Sequence, residues 1–127
     1  MMLSVSDVAE RWDVAPAAVR TRILTGELRA IRFGRLYRIA WEDVLACEVG
    51  AGTPGDPRER TALLTIAKLG RIAGVSGRTV HRWIAAGLPI RRIGANVRIN
   101  PHDAGDWIAD RFGWQPDTRD LLPGGRS

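Results

Sequence analysis

The stretch Val75-Ser76-Gly77-Arg78-Thr79-Val80-His81-Arg82-Trp83-Ile84-Ala85-Ala86-Gly87 carries both ends and both faces of a short helix. Ser76 predicts an N-cap, because its hydroxyl accepts from the free N–H groups of a first turn. Gly87 predicts the stop, because it tolerates positive φ. Val80, Trp83, Ile84 and Gly87 recur at i, i+3, i+4 and i+7, so one face is buried. Arg78 and Arg82 lie four apart on the opposite face, flanked by Thr79 and His81. An apolar back with a basic, hydrogen-bonding front suits a DNA major groove. Taken alone, such a helix reads more plainly as a solvated surface helix. Its surroundings reverse that.

Working outward, the chain repeats itself. Leu3-Ser4-Val5 matches Leu64-Thr65-Ile66, and Val14, Val19, Ile23 and Gly26 match Val75, Val80, Ile84 and Gly87, all 61 positions apart. After one lost residue the offset is 60: Leu28, Arg32, Gly34, Arg38-Ile39 and Asp43 match Leu88, Arg92, Gly94, Arg98-Ile99 and Asp103. Ordered matches with a single slip mark a duplicated unit.

Each copy predicts the same order of elements. In the first, residues 3–5 are an extended entry and 7–12 a short helix capped by Ser6, with Val8, Ala9 and Trp12 inward. After the turn at 13–15, Pro16 opens a second helix that stops near Gly26. Strands at 31–33 and 36–39 flank Gly34-Arg35, and a last helix covers 41–48. In the second copy, Asn100, Pro101 and Asp103 predict a well-capped last helix reaching Phe112. The expected organisation is a first unit at 1–48, a linker at 49–62, a second unit at 63–113 and a tail at 114–127. The linker reading rests on Gly and Pro content. Gly50, Gly52 and Gly55 spell a dinucleotide-type pattern. No strand leads into it and Pro54 and Pro57 interrupt the required helix, so that site is rejected. The tail is expected to fray, with Trp114 folding back on the second unit.

Helix, tight turn, helix, two-stranded basic projection, helix is the order of a winged helix-turn-helix. The residues at 3–14, 26–39 and 41–45, and their second-copy counterparts, resemble the excisionase group of MerR-like winged-helix domains. The resemblance implies a mainly α fold with small β wings, as two tandem winged helix-turn-helix units. It implies a role in binding double-stranded DNA, either in excisive recombination beside an integrase or in transcriptional control. By that resemblance the second helix of each unit enters a major groove and the wing meets backbone or minor groove. Arg78, Thr79, His81 and Arg82 carry the groove role in the second copy; Ala17, Ala18, Arg20 and Thr21 stand at their places in the first. The first front offers one arginine and small side chains, which suits thymine methyls more than guanine. Arg32, Arg35 and Arg38 in the first wing, and Arg91, Arg92, Asn96 and Arg98 in the second, complete the expected DNA contacts. Charge that merely protects an exposed strand edge is the plainer alternative.

Bulk composition is compatible with this. The 127 residues carry a net charge of +5, and 18 of the 19 basic side chains are arginine, the residue that forks onto phosphate and guanine. Residues 1–49 hold seven basic and seven acidic side chains, so the excess lies in the second half. The single cysteine, Cys47, excludes an internal disulfide and suits a reducing cytoplasm; it reads as core. No apolar run predicts a membrane span. His81 and His102 lack ligand-spaced partners, so no metal is expected, and no cofactor or small-molecule ligand either. Asp103, Asp106 and Asp110 read as a solvated face, and Trp12, Trp41, Trp83 and Trp107 as packing. The expectation is a cytoplasmic, nucleoid-associated, non-enzymatic DNA binder. Its rival is a first unit that holds a protein partner, for which the neutral Ala17-Ala18 front speaks.

Overall fold

A computed structural model describes residues 2–113, and the tail expectations, Trp114 included, lie outside the described residues. Those residues form six α-helices and small antiparallel sheets. The first half runs β1 (Met2–Leu3), α1 (Val5–Trp12), α2 (Pro16–Leu24), β2 (Ile31–Phe33), β3 (Leu36–Ala40) and α3 (Trp41–Ala46). The second runs α4 (Ile66–Ala73), α5 (Gly77–Ala85), β4 (Arg91–Ile93), β5 (Asn96–Arg98) and α6 (Pro101–Phe112). No helix among the described residues is long and apolar enough to cross a membrane.

Local chemistry accounts for the helix ends. Ser4, not Ser6, caps α1: its hydroxyl accepts from the Asp7 N–H at 3.0 Å while the Asp7 carboxylate accepts from the Ser4 N–H at 2.9 Å. The extended entry is therefore shorter than expected, since the reciprocal box recruits Val5 and Ser6 into the helix. Asp13 closes α1 in the left-handed region at φ 53°, where Gly74 closes α4 at φ 72°. Thr65 and Ser76 cap α4 and α5 through the Lys68 and Thr79 N–H groups. Helix α2 starts at Pro16 with no side-chain cap, as Ala15 dictates. Helix α3 ends at Ala46, two residues before the expected end, and Glu48 turns inward.

Register settles which side chains share a face. Hairpin β2–β3 pairs Ile31 with Arg38, Arg32 with Tyr37 and Phe33 with Leu36. Hairpin β4–β5 pairs Arg91 with Arg98, Arg92 with Val97 and Ile93 with Asn96. Side chains alternate along a strand, so Arg91, Ile93, Asn96 and Arg98 lie on one face and Arg92 and Val97 on the other.

The two halves share a core. Val8, Trp12, Val19, Leu28, Ile39 and Val44 of the first pack with Leu63 and Ile93 from beyond residue 49. The second half packs Leu64, Leu69, Val80, Leu88, Ile99 and Ala104, with Trp83 and Trp107 partly buried against them. The stretch read as a linker is built into the fold. Val49 exchanges backbone hydrogen bonds with Arg92 at 2.9 and 3.0 Å, Glu59 is buried after a single helical turn at Pro57–Glu59, and the Leu63 N–H donates to Arg11 O at 2.8 Å. Its Gly and Pro shape turns, while Glu59 and Leu63 supply buried anchors.

Candidate nucleic-acid interface

The front of α5 is open. Arg78, His81 and Arg82 are exposed, and none has an acidic partner within 4.0 Å among the described residues. Thr79 is half-buried, with its hydroxyl 3.2 Å from that of the Ser76 cap. The back rests on Val80, which is fully buried, while Trp83 and Ile84 are partly covered and Gly87 is exposed. Trp83 lies 5.9 Å from Trp107 and 5.8 Å from Phe112, ring centre to ring centre.

The corresponding front of α2 exposes Ala17, Ala18, Arg20 and Thr21. The Thr21 hydroxyl donates to Ala17 O at 3.0 Å, so its hydrogen is spent inside the helix. On the first hairpin Arg32 and Arg35 are exposed and Arg38 is half-buried. Arg32 donates to Gly34 O at 2.7 Å and lies against the Tyr37 ring, which stiffens the turn. Beside these cations stand Ile31, Phe33 and Leu36, which are 53, 60 and 56% exposed.

The second hairpin departs from the sequence expectation at two of its four named residues. Arg91 is only 3% exposed and cannot meet DNA. It donates to both Glu59 carboxylate oxygens, at 2.7 Å to Oε2, and to Glu48 Oε1 at 3.2 Å. Arg11 joins from the opposite half, donating to Glu48 Oε1 at 3.0 Å and Oε2 at 3.1 Å and to Glu59 Oε1 at 3.0 Å. Trp12 Nε1 adds a 2.8 Å bond to Glu48. Two guanidiniums and two carboxylates thus neutralise one another in the interior. Burial alone would raise the Glu59 carboxyl, but the Arg91 and Arg11 guanidiniums outweigh it and hold Glu59 below its ordinary value. Asp103, 3.6 Å from Arg91, is pushed up by burial, which Arg91 only partly offsets.

Arg98 is likewise engaged within the fold. Its Nε donates to Trp12 O at 2.8 Å and its Nη2 to Asp13 O at 3.2 Å, so it clasps the C-terminal end of α1. These carbonyls end a helix, where cations are favoured. A 2.8 Å ion pair between Lys68 and Asp13 lies beside it. Arg92 alone among the second hairpin's arginines points away from the first half and is exposed; Asn96 is half-buried.

Arg11, Glu48 and Glu59 were not legible as partners of the hairpin. One signal was available. At the repeat offsets, Arg11 stands where the second half has Ile72 and Glu48 where it has Ile108. A charged pair replacing an apolar pair at matched positions implies a polar contact that the other copy does not make.

Comparison of the chain with family models, curated proteins and solved structures finds no match.

Proposed function

We propose that this protein binds double-stranded DNA through two unlike helix-turn-helix units, with the α5 front as the principal reading surface. The observation that carries this is the contrast among its arginines. Arg11 and Arg91 are neutralised in the interior, whereas Arg78 and Arg82 stand exposed four residues apart on one helix front without acidic partners among the described residues. Arginine pairs bidentately with guanine and with phosphate, and Thr79 and His81 add hydrogen-bonding groups beside it. The α2 front, with Arg20 among small side chains, adds a weaker contact, and Arg32, Arg35, Arg38 and Arg92 hold backbone. The resemblance to excisionase-type winged-helix domains supports the same reading. The role is that of a transcriptional regulator or an excisionase-like factor acting beside an integrase, and its place is the cytoplasm.

The test is a fluorescence-anisotropy titration on duplex DNA over a range of salt concentrations. Each phosphate neutralised contributes a log–log slope of about −0.9, so a steep fall is expected. A flat response removes the reading. For the first half a second reading has its own support. Its hairpin displays three large apolar side chains, which is a surface for protein.

A further inference from the structure

We infer that the tip of the first hairpin is an intercalating wedge: Phe33 and Leu36 enter a base step of duplex DNA from the minor groove and kink it. The inference rests on the DNA-binding reading above and goes beyond it, because groove and backbone contacts alone leave the bases stacked.

The tip is shaped to protrude. Phe33 pairs with Leu36 across Gly34-Arg35, and Ile31 pairs with Arg38 one step further back. Paired residues and their i+2 neighbours share a face, so these four lie together, opposite Tyr37 and the buried Ile39. Phe33 and Leu36 are 60 and 56% exposed. Gly34 turns at φ 60°, and a Cβ added there would meet nothing within 4 Å. The turn is also held. Arg32 Nε donates to Gly34 O at 2.7 Å, and its guanidinium lies 6.0 Å from the centre of the Tyr37 ring. A stiff tip suits insertion, since less is lost in ordering it on binding.

The charges select the occupant. Residues 28–40 hold four arginines, Arg29, Arg32, Arg35 and Arg38, and no acidic side chain. None of the four has an acidic partner within 4.0 Å among the described residues. Arg32 and Arg35 stand immediately beside Phe33 and Leu36. A base step offers the matching pattern, apolar ring faces between two rows of phosphates. Protein is the rival occupant, but a docking patch for protein is not required to be rimmed by cations alone. Three apolar side chains also bury too little to hold a bilayer, where even a whole acyl chain binds only marginally.

Width decides how the tip enters. In the DNA-binding reading α2 takes the major groove, so the hairpin beside it meets the flanking minor groove. Two paired strands lie about 4.8 Å apart before side chains are counted, and an undistorted minor groove is only about 6 Å wide. The tip fits where that groove opens, and apolar side chains inserted between bases open it by kinking the duplex toward the major groove. The second hairpin has no such tip. Ile93, in the place of Phe33, is 1% exposed within the first core, and the half-buried Asn96 replaces Leu36. Each chain therefore makes one kink, on the side of its first unit.

Ligase-mediated circularisation of a mixed-sequence duplex shorter than the persistence length of about 150 base pairs reads the kink. Anisotropy on the same duplex reads binding. The full chain is expected to raise the yield of circles about tenfold or more, since a kink removes much of the elastic cost of closure. Phe33→Ser and Leu36→Ser, each checked for an unchanged melting temperature, should keep the salt dependence of binding and lose the circles. Phe33→Leu keeps an apolar wedge and should keep them. The wild type should bind a duplex with one mismatched step about tenfold more tightly than its matched form, because the unstacking is already done, and Phe33→Ser should show no such preference. Salt-dependent binding by the wild type with no gain in circles overturns the wedge and leaves the DNA-binding reading standing. Circles undiminished in Phe33→Ser overturn it as well, because the bend then comes from charge alone. A Phe33→Ser chain that keeps its circles but no longer floats with phosphatidylserine vesicles, as the wild type does, assigns the tip to lipid and equally overturns it. If the wild type binds no duplex at all, the DNA-binding reading fails and the wedge falls with it.

Discussion

Three arginines within eight residues of one hairpin have three different fates. Arg91 is buried among carboxylates, Arg98 clasps helix-end carbonyls, and Arg92 faces outward. Arg91→Ala leaves Glu48 and Glu59 sharing one guanidinium in the interior, and breaking a buried pair costs about 3–5 kcal/mol. Arg92→Ala should change stability by less than about 0.5 kcal/mol. It should weaken all DNA sequences alike and lower the salt slope by about 1. Arg82→Ala should cost about 1–3 kcal/mol on the preferred site and relax preference at one base pair. Denaturant unfolding and anisotropy on paired sequences separate the three. Equal DNA effects from Arg82→Ala and Arg92→Ala would show that α5 holds DNA without reading it. Acid dependence tests the buried cluster. Glu59 titrates below its ordinary value of 4.5, so the folded chain binds fewer protons there than the unfolded one. Its stabilisation is present above that value and is lost as pH falls. Asp103 titrates above its ordinary value of 3.8 and acts in the opposite sense. Glu59→Gln should therefore flatten the acid loss of stability, and Asp103→Asn should steepen it. Urea midpoints measured between about pH 3 and 6 decide this, and equal slopes in the two variants would remove the cluster's role.

At the scale of elements, caps and periodicity were legible in the sequence, and faces less so. Ser76, Asn100 and Pro101 cap where their chemistry requires, and Ala15 leaves α2 uncapped. Ala15 already has the extended φ and ψ of a cap, at −68° and 146°. Ala15→Ser should thus raise stability by about 0.5–1 kcal/mol and Ser76→Ala should lower it by about 1 kcal/mol, read as melting shifts. The inward turn of Arg91 was not drawn from the sequence, although the period of two places it on the face of Ile93. A strand only three residues long gives too few alternations for the pattern to override the ordinary expectation that arginine faces water. The Gly- and Pro-rich stretch was legible only in part, for a related reason. Composition reports how easily a backbone turns and says nothing of what Glu59 and Leu63 meet after the turn. Of the four tryptophans expected to pack, Trp12 is fully buried while Trp41, Trp83 and Trp107 are partly so. Trp83→Ala should cost about 3 kcal/mol, the low end for a large aromatic, because part of its surface is already wet. An unchanged melting temperature would make Trp83 a contact residue.

At the scale of the whole molecule, the repeat is covalent and the two fronts differ, so a palindromic site is not required. The relation between the fronts is fixed by buried groups. Ile93 and Leu63 complete the first core, Arg91 and Glu59 from one side meet Arg11 and Glu48 from the other, and Val49 is paired to β4. A flexible 14-residue tether would average about 20 Å and would follow a change in site spacing gradually. A packed pair cannot follow it. Each inserted base pair advances the second half-site by about 3.4 Å and rotates it by roughly a tenth of a turn, since one turn spans about 34 Å. The units can meet such a site only by exposing the Arg11, Glu48, Glu59 and Arg91 cluster or by giving up one groove. Sites whose halves are moved apart by about 2 to 5 base pairs should therefore lose affinity abruptly, down to that of one unit. The same packing predicts a single cooperative unfolding transition for the whole chain, because residues 60–127 alone would leave Ile93 without its core and Arg91 without either glutamate. Two calorimetric transitions, a fragment at 60–127 that folds with full stability, or a gradual loss across the spacing series would each show that the halves move independently. Arg91→Ala supplies the control: by loosening the cluster it should turn the abrupt dependence on spacing into a gradual one.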